Sequence, residues 1–396
     1  MKDKGIQTRA VHGGEPPDPA TGASSPNIVM SSTYVVDEPV SFSVTNMDED
    51  TPFIYTRWSN PTIRQLEQKL CLLENAADCI AQASGMAAST GVIYALLNAG
   101  DHLVISNTNY PGTAEISRDL LNHKGIEVTP VDSSDVEELR NAVQSNTRLI
   151  WIETPSNPLL RITDIAAAAE IAHAADALLA VDSTFASPIA TRPLDLGADI
   201  VVHSLTKYIG GHGDALGGAI LGNTEIISRL RGAGVMHFGA MISPFNAWLI
   251  MRGAATLPLR MRTHQENALA VASFLEQHAE VELVRYPGMT THPQHELAAR
   301  QMQNYSGMVS FRTRNPRDTA RKLMQKLEVI HYAVSLGHHR SLVYLMETAD
   351  LMQSSYKLEG RELDKYQDIA GDGIFRLSVG LEDADDLIAD LNKALS

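Results

Sequence analysis

Five short apolar runs, separated by stretches of helical periodicity, constrain this 396-residue chain more than any other feature. They cover residues 102–106, 127–131, 149–153, 178–182 and 200–203. Runs this rich in Val, Ile and Leu have little polar face to show water, so they read as strands buried on both sides. Strands of that kind alternating with helices predict an α/β fold with a mostly parallel sheet covered by helices. Ligands in such sheets bind outside the carboxyl ends of the strands. Glu153, Asp182 and His203 each end a run and are expected at that edge.

Around this centre the chain divides into three. Residues 1–60 show little periodicity and many Pro, Ser and Thr, with the acidic run Asp48, Glu49, Asp50, and read as an extended arm. A helical pattern starts at Asn60-Pro61-Thr62, with Leu66, Leu70 and Leu73 at spacings of four and three, and opens a large domain over 61–255. From Pro244 to about residue 279 the pattern is that of one long helix or two, bridging to a smaller α+β domain over 256–396. Strand-like runs there lie at 307–311, 328–332 and 374–379, and the last helix spans 383–395. No internal repeat is visible.

Charge and cysteine content narrow the function classes. A formal net charge of −15 without any dense Lys/Arg cluster disfavours nucleic acid and anionic membrane as partners. Cys71 and Cys79 match neither a disulfide framework nor zinc-ligand spacing and read as reduced thiols in helix cores. The residues from Met1 to Gly14 are charged and polar, and no later run is long and apolar enough to span a bilayer, so a cytoplasmic protein is expected.

The segment from Asp199 to Asp214 carries the chemistry: a buried strand, small hydroxyl residues, one lysine, then glycines. Ser204 and Thr206 can donate hydroxyls to a phosphate, and Gly210, Gly211 and Gly213 let the chain pass close to a ligand. Lys207 reads equally as a salt-bridged strand-end lysine when taken alone, and Asp182 as a helix cap. Together, at one sheet edge, they suit pyridoxal phosphate. A carboxylate keeps the pyridine nitrogen protonated, and a lysine amine condenses with the aldehyde and later moves protons.

With these residues in place the chain resembles the Cys/Met-metabolism family of pyridoxal phosphate enzymes, which includes cystathionine γ-synthases, cystathionine lyases, methionine γ-lyases and homoserine-ester sulfhydrylases. The resemblance rests on an ordered set of motifs along nearly the whole chain. They are Thr8-Arg-Ala-Val-His-Gly13, Tyr55-Thr-Arg-Trp-Ser-Asn-Pro-Thr62, Ser84-Gly-Met-Ala87, Glu153-Thr-Pro-Ser-Asn-Pro158, the Asp182 and Lys207 motifs, Ser335-Leu-Gly337 and Arg376-Leu-Ser-Val-Gly-Leu-Glu382.

The resemblance implies fold type I, the aspartate aminotransferase-like fold, with a seven-stranded large-domain sheet. It further implies that Gly85, Met86, Ser204 and Thr206 hold the cofactor phosphate, that Tyr55 and Arg57 complete the phosphate site of a neighbouring subunit, and that Tyr110 stacks on the ring and exchanges protons. Asn157 would meet the phenolic oxygen, and Arg376, helped by Ser335 and Asn157, would clamp the substrate α-carboxylate. A homodimer with shared sites follows, and a tetramer of two dimers. The implied reaction is γ-elimination from methionine or a related homocysteine or homoserine derivative, giving 2-oxobutyrate, ammonia and a thiol. The alternatives are γ-replacement, by a homoserine-ester sulfhydrylase or cystathionine γ-synthase, and a β-eliminating cystathionine or cysteine lyase.

Three departures bear on specificity. Pro111 and Gly112 stand where methionine γ-lyases have glycine and cysteine, and Arg340 stands where cystathionine-processing relatives place a glutamate. An arginine there would repel a distal ammonium and so act in substrate binding; otherwise it points to solvent. His338 and His339 are adjacent and lack the further ligands of a metal site, and no metal is expected.

Overall fold

In a computed structural model, which describes residues 1–39 and 51–396, the five apolar runs form five strands of one seven-stranded sheet. The strands are β1 (Asp78–Gln82), β2 (His102–Ser106), β3 (Glu127–Val131), β4 (Thr147–Glu153), β5 (Leu178–Asp182), β6 (Ile200–Ser204) and β7 (Gly218–Gly222), in the order β1-β7-β6-β5-β4-β2-β3. Strand β7 is antiparallel to both neighbours, β6 and β1, and the other pairs are parallel, so β7 alone runs backwards. Successive strands diverge on either side of β2, which leaves a crevice at the carboxyl ends of β2 and β4.

Strands β1 and β7 are additions to the sequence reading, and Cys79 lies in β1 rather than in a helix; Cys71 is helical, and both thiols are free. Glycines at both ends weaken the strand signature of β7, yet one of them is required. A Cβ on Gly218 would run into the carbonyl oxygen of Ser84, so β7 lets the turn between β1 and the helix Gly85–Leu96 cross close above it.

The arm is not wholly extended. Residues Ile6–His12 form helix α1, whose Ala10 is buried. It packs on α2 (Pro61–Glu74), where Leu66, Leu70 and Leu73 are buried as their spacing predicts. The Asn60 side chain accepts from the N–H groups of Thr62 and Ile63, a cap worth about 1 kcal/mol. From α2, the Lys69 ammonium reaches into the arm, fully buried. There it meets the Glu15 carboxylate at 2.8 Å and donates to the Ala10 carbonyl. The acidic run Asp48 to Asp50 lies outside the described residues.

Two helices, Pro244–Ala254 and Leu257–Gln277, lead to a second sheet in the order β10-β11-β12-β9-β8. Its strands are β8 (Val281–Arg285), β9 (Met308–Thr313), β10 (His331–Tyr332), β11 (Leu342–Glu347) and β12 (Gly373–Ser378). All pairs but β10 with β11 are antiparallel, and Phe311 and Phe375 stack across β9 and β12 at 4.9 Å. The helices Pro316–Lys326 and Ala384–Leu395 pack on each other beside this sheet. A single apolar cluster runs from Ala10 through Tyr208 to Met308 and Leu336, so the arm, the segment after Lys207 and the second sheet share one core. Among the described residues no helix is long and apolar enough to cross a membrane.

Candidate active site

A cavity of about 460 Å³ opens where the carboxyl ends of β4, β5 and β6 face the end of β12 and the turn before β11. Lys207 stands in its wall, just past β6. Its Nζ donates to Ser335 Oγ at 3.0 Å, and burial, followed by the nearby Arg376 guanidinium, brings its pKa down to about 8. The backbone after it is held by Arg260, a buried arginine whose role the sequence did not reveal. Arg260 donates to the carbonyls of Tyr208 at 2.7 Å, Ile209 at 3.2 Å and Gly253 at 2.8 Å. The glycines that follow Lys207 serve this packing instead of a ligand: a Cβ on Gly211 would enter the Arg260 guanidinium, and one on Gly213 would lie 2.7 Å from the His338 ring.

Asp182 ends β5 and is buried at the cavity wall, where desolvation raises its pKa against the opposing pull of hydrogen bonds from Thr184. It accepts the Thr184 N–H at 3.0 Å in a local turn and caps no helix, since the next helix, Ser187–Ala190, begins after Ala186. Glu153 ends β4 behind the site. One carboxylate oxygen accepts the Tyr110 N–H at 2.6 Å and the other the Asn157 N–H at 2.8 Å, so this buried acid fixes two cavity residues. Burial, and then the charge of Asp182, raise its pKa well above the carboxylate range. His203 belongs elsewhere: from the other face of β6 its Nε2 meets Glu74 at 3.1 Å, as strand alternation demands of a residue next to Ser204.

Asn157 and Arg376 meet across the cavity. Arg376, on β12, donates to Asn157 Oδ1 at 3.1 Å and to the Ser335 carbonyl at 3.3 Å. The Asn157 Nδ2 is buried and has no hydrogen-bond partner, a donor aimed at nothing the protein supplies. At the opposite end, α3 (Gly85–Leu96) presents its amino terminus. Ser84 caps it by accepting the Ala87 N–H, which leaves the N–H groups of Gly85 and Met86 facing the cavity. A Cβ on Gly85 would lie 2.8 Å from Ser204 Cβ, so the glycine keeps that cradle open. Ser204 and Thr206 line the same corner, with Thr206 Oγ1 also bonded to the Gly217 backbone.

The structure thus brings Gly85, Met86, Tyr110, Asn157, Asp182, Ser204, Thr206, Lys207, Ser335 and Arg376 to one cavity. It does not bring Tyr55, Arg57 or Arg340 there. Arg57 donates to the Met236 carbonyl at 2.5 Å and lies over the Tyr55 and Trp58 rings, away from this chain's own cavity. Arg340 is exposed outside the cavity wall, so of its two expected places this chain shows the one in solvent and not the one at the substrate. Gly112 leaves no room for a cysteine without movement, because its Cβ would lie 2.7 Å from Met86 Sδ. Sequence reasoning also missed Thr184, whose hydroxyl accepts the Ser204 N–H at 2.9 Å, and the outer apolar wall of Leu216, Val334, Tyr344 and Met346. The Ser-Thr pair after Asp182 was a usable signal for the first; no local pattern marks the second. Among the described residues no three metal-ligating side chains converge.

A phosphorylated pyridine aldehyde fits these features: an anion cradle at a helix amino terminus, a carboxylate for the ring nitrogen, an unpartnered amide donor for a ring oxygen, and an amine of lowered pKa. The sequence profile for "Cys/Met metabolism PLP-dependent enzyme" matches residues 7–396. The chain is 40% identical over 398 residues to an L-methionine gamma-lyase of Fusobacterium nucleatum subsp. polymorphum, covering 100% of this chain and 98% of the relative. It is 43% identical over 392 residues to a cystathionine gamma-synthase of Mycobacterium leprae, covering 99% and 97%. The crystal structure of metB from Corynebacterium glutamicum superposes with a TM-score of 0.89 at 39% identity, over 99% of this chain and 98% of that one.

Proposed function

The chain belongs to the Cys/Met metabolism family of enzymes, whose cofactor is pyridoxal phosphate, and on that premise we propose that it removes the γ-substituent of a small sulfur amino acid, methionine or a close homocysteine or homoserine derivative. The products are 2-oxobutyrate, ammonia and a thiol. The observation that carries this reading is the meeting, in one cavity, of the Lys207 amine with the Arg376 fork that Asn157 orients.

Pyridoxal phosphate, when bound, supplies an aldehyde for amines and a ring that withdraws electrons from the substrate carbon beside it. The residues of the chain do the rest. The N–H groups of Gly85 and Met86 and the hydroxyls of Ser204 and Thr206 hold the phosphate, Asp182 pairs with the ring nitrogen, and Asn157 Nδ2 donates to the ring oxygen. Arg376 clamps the substrate α-carboxylate. Lys207, whose pKa of about 8 leaves a useful fraction of free amine near neutral pH, takes the Cα proton at Nζ and returns it later. Tyr110, fixed through its backbone by Glu153, offers its hydroxyl proton to the departing sulfur. Tyr55 and Arg57, which lie outside this chain's cavity, complete the phosphate site of a second copy, so the working unit is at least a homodimer, with a tetramer of two dimers expected.

The outer wall favours a neutral γ-substituent. Leu216, Val334, Tyr344 and Met346 are apolar or aromatic, and the carboxylates of the described cavity wall, Glu153 and Asp182, are engaged at its floor. Neither is left to receive a distal ammonium, which supports methionine over cystathionine. The likeness to a cystathionine gamma-synthase favours γ-replacement as a second reading. The deciding experiment is product analysis on methionine, cystathionine, cysteine and O-acetylhomoserine. Release of 2-oxobutyrate from methionine supports elimination, pyruvate from cysteine or cystathionine points to β-chemistry, and a new thioether points to replacement. Loss of yellow colour and of product in Lys207→Ala ties the chemistry to this amine; a colourless wild type that takes up no cofactor would sink the reading.

A further inference from the structure

The turn between β10 and β11 carries a histidine that the proposed chemistry leaves unused. This turn also supplies Ser335, the partner of Lys207, with a backbone φ of +90° that a non-glycine residue rarely adopts. Its neighbours hold it there. Gly337, at φ +70°, lies so close to the main chain after Lys207 that a Cβ would come within 2.6 Å of the Tyr208 nitrogen, and its N–H donates to Ser378 Oγ at 2.8 Å. The His339 N–H donates to the Gly211 carbonyl at 2.9 Å.

Between these anchors His338 reaches back, placing Nε2 3.2 Å from Ser335 Oγ, the atom that accepts from Lys207 Nζ at 3.0 Å. Gly213, at φ +71°, provides the space for its ring. Three polar atoms therefore lead in sequence from the cavity to a partly exposed imidazole.

We propose that Ser335 and His338 form a proton path that resets the Lys207 amine, with His338 a positioning residue that acts on Lys207 only through Ser335. The inference rests on Lys207 being the reacting amine. With its own proton on Nδ1, the neutral imidazole accepts the Ser335 hydroxyl proton at Nε2 and leaves the Oγ lone pairs for Nζ. To discharge the ammonium, one proton moves from Nζ to Oγ as the hydroxyl proton moves to Nε2. The imidazolium then loses its Nδ1 proton to solvent, which leaves the amine neutral, the hydroxyl restored and one proton gone from the site; the ring, now protonated at Nε2, accepts again after exchanging that proton with solvent for one at Nδ1. Burial, and then the charge of Lys207, hold His338 below the ordinary histidine range, which keeps Nε2 an acceptor near neutral pH. His339 and Arg340 push in the same direction, while Asp214 opposes them.

The test uses the holoenzyme and alanine in heavy water; alanine has a Cα proton to exchange but no γ-substituent to lose. The wild-type exchange rate, followed by NMR, should fall at acid pH with a midpoint below 6.5, the usual histidine value. His338→Gln offers Ser335 an acceptor that cannot titrate. This variant should lose the acid limb and exchange about tenfold more slowly, less than the hundredfold expected of a group touching the reacting atoms. The pH at which the visible absorption of the holoenzyme changes should shift in the same variant, a readout free of turnover. Ser335→Ala should behave alike, and the double variant should be no slower than the slower single one. An acid limb unchanged in His338→Gln, or losses that add in the double variant, overturns the path. A Lys207→Ala protein that keeps the visible absorption would instead overturn the reading of Lys207.

Discussion

Arg376 Nη1 donates to Asn157 Oδ1 across 3.1 Å, joining the second sheet to the loop that follows β4 of the first. Nη2 is held by the Ser335 carbonyl, so the guanidinium is fixed on two sides before any substrate arrives. A planar fork held in this way meets a carboxylate with two parallel bonds and little loss of freedom.

Arg376→Lys keeps the positive charge and loses the fork. The KM for the amino-acid substrate should rise at least about thirtyfold, equivalent to about 2 kcal/mol, within the range for a hydrogen bond to a charged group. Steady-state kinetics would check this, and an unchanged KM would remove Arg376 from substrate binding.

Glu153 binds two backbone N–H groups with its two oxygens. In Glu153→Gln an amide NH₂ replaces one acceptor and faces a donor, so stability should drop by about 1–3 kcal/mol in denaturant melts. The pH dependence has a definite sign. Burial raises the folded-state pKa of Glu153 above its usual 4.5, so the folded state binds more protons than the unfolded state above that pH. Wild-type stability from this group therefore declines as pH rises from below 4.5 towards the raised pKa. The variant lacks that decline, and the stability gap between the two should narrow from pH 4 to pH 7. A gap that widens would contradict the assignment.

Lys207 should react as an amine of lowered pKa. With the cofactor removed, its labelling by acetic anhydride, read by mass spectrometry, should show a midpoint of about 8. Burial is the larger cause and Arg376 the second, so Arg376→Leu should move the midpoint upward without restoring the usual 10.5. A midpoint unaffected by Arg376→Leu would show that the two charges do not sense each other.

Gly85→Ala places a methyl group 2.8 Å from Ser204 Cβ, in the cradle at the start of α3. Cofactor retention on dialysis should fall, with the dissociation constant rising about tenfold or more, about 1.4 kcal/mol. Unaltered retention would show that the anion does not sit at this helix end.

Much of this site was legible because its chemistry is local in sequence. Lys207, Asp182 and Glu153 each end a strand or follow one closely, and strand ends can be read from apolar runs. The motif order then supplied Gly85, Asn157 and Arg376. What stayed hidden depends on distance or on weak local signal. Strand β7 has glycines at both ends, and the small α1 is revealed only by the partner it packs on. Arg260 resembles any polar face residue until its three carbonyl partners converge. His203 follows the strand alternation that Ser204 also obeys, and a one-residue step puts it on the wrong face. Arg340 was placed by its motif, but the turn that fixes Ser335 and His338 directs it to solvent.

The buried ammonium of Lys69 makes the first fifteen residues more than a tail. It belongs to α2, yet both its described partners, Glu15 and the Ala10 carbonyl, lie far earlier in the chain, in α1 and just after it. Without residues 1–15, Lys69 would lose both described partners and α2 would lose the helix packed on it, against a typical total stability of only about 5–15 kcal/mol. Limited proteolysis should find a chain without them far more susceptible than the full one. Loss of residues 1–15 would thus act on folding before it acts on catalysis.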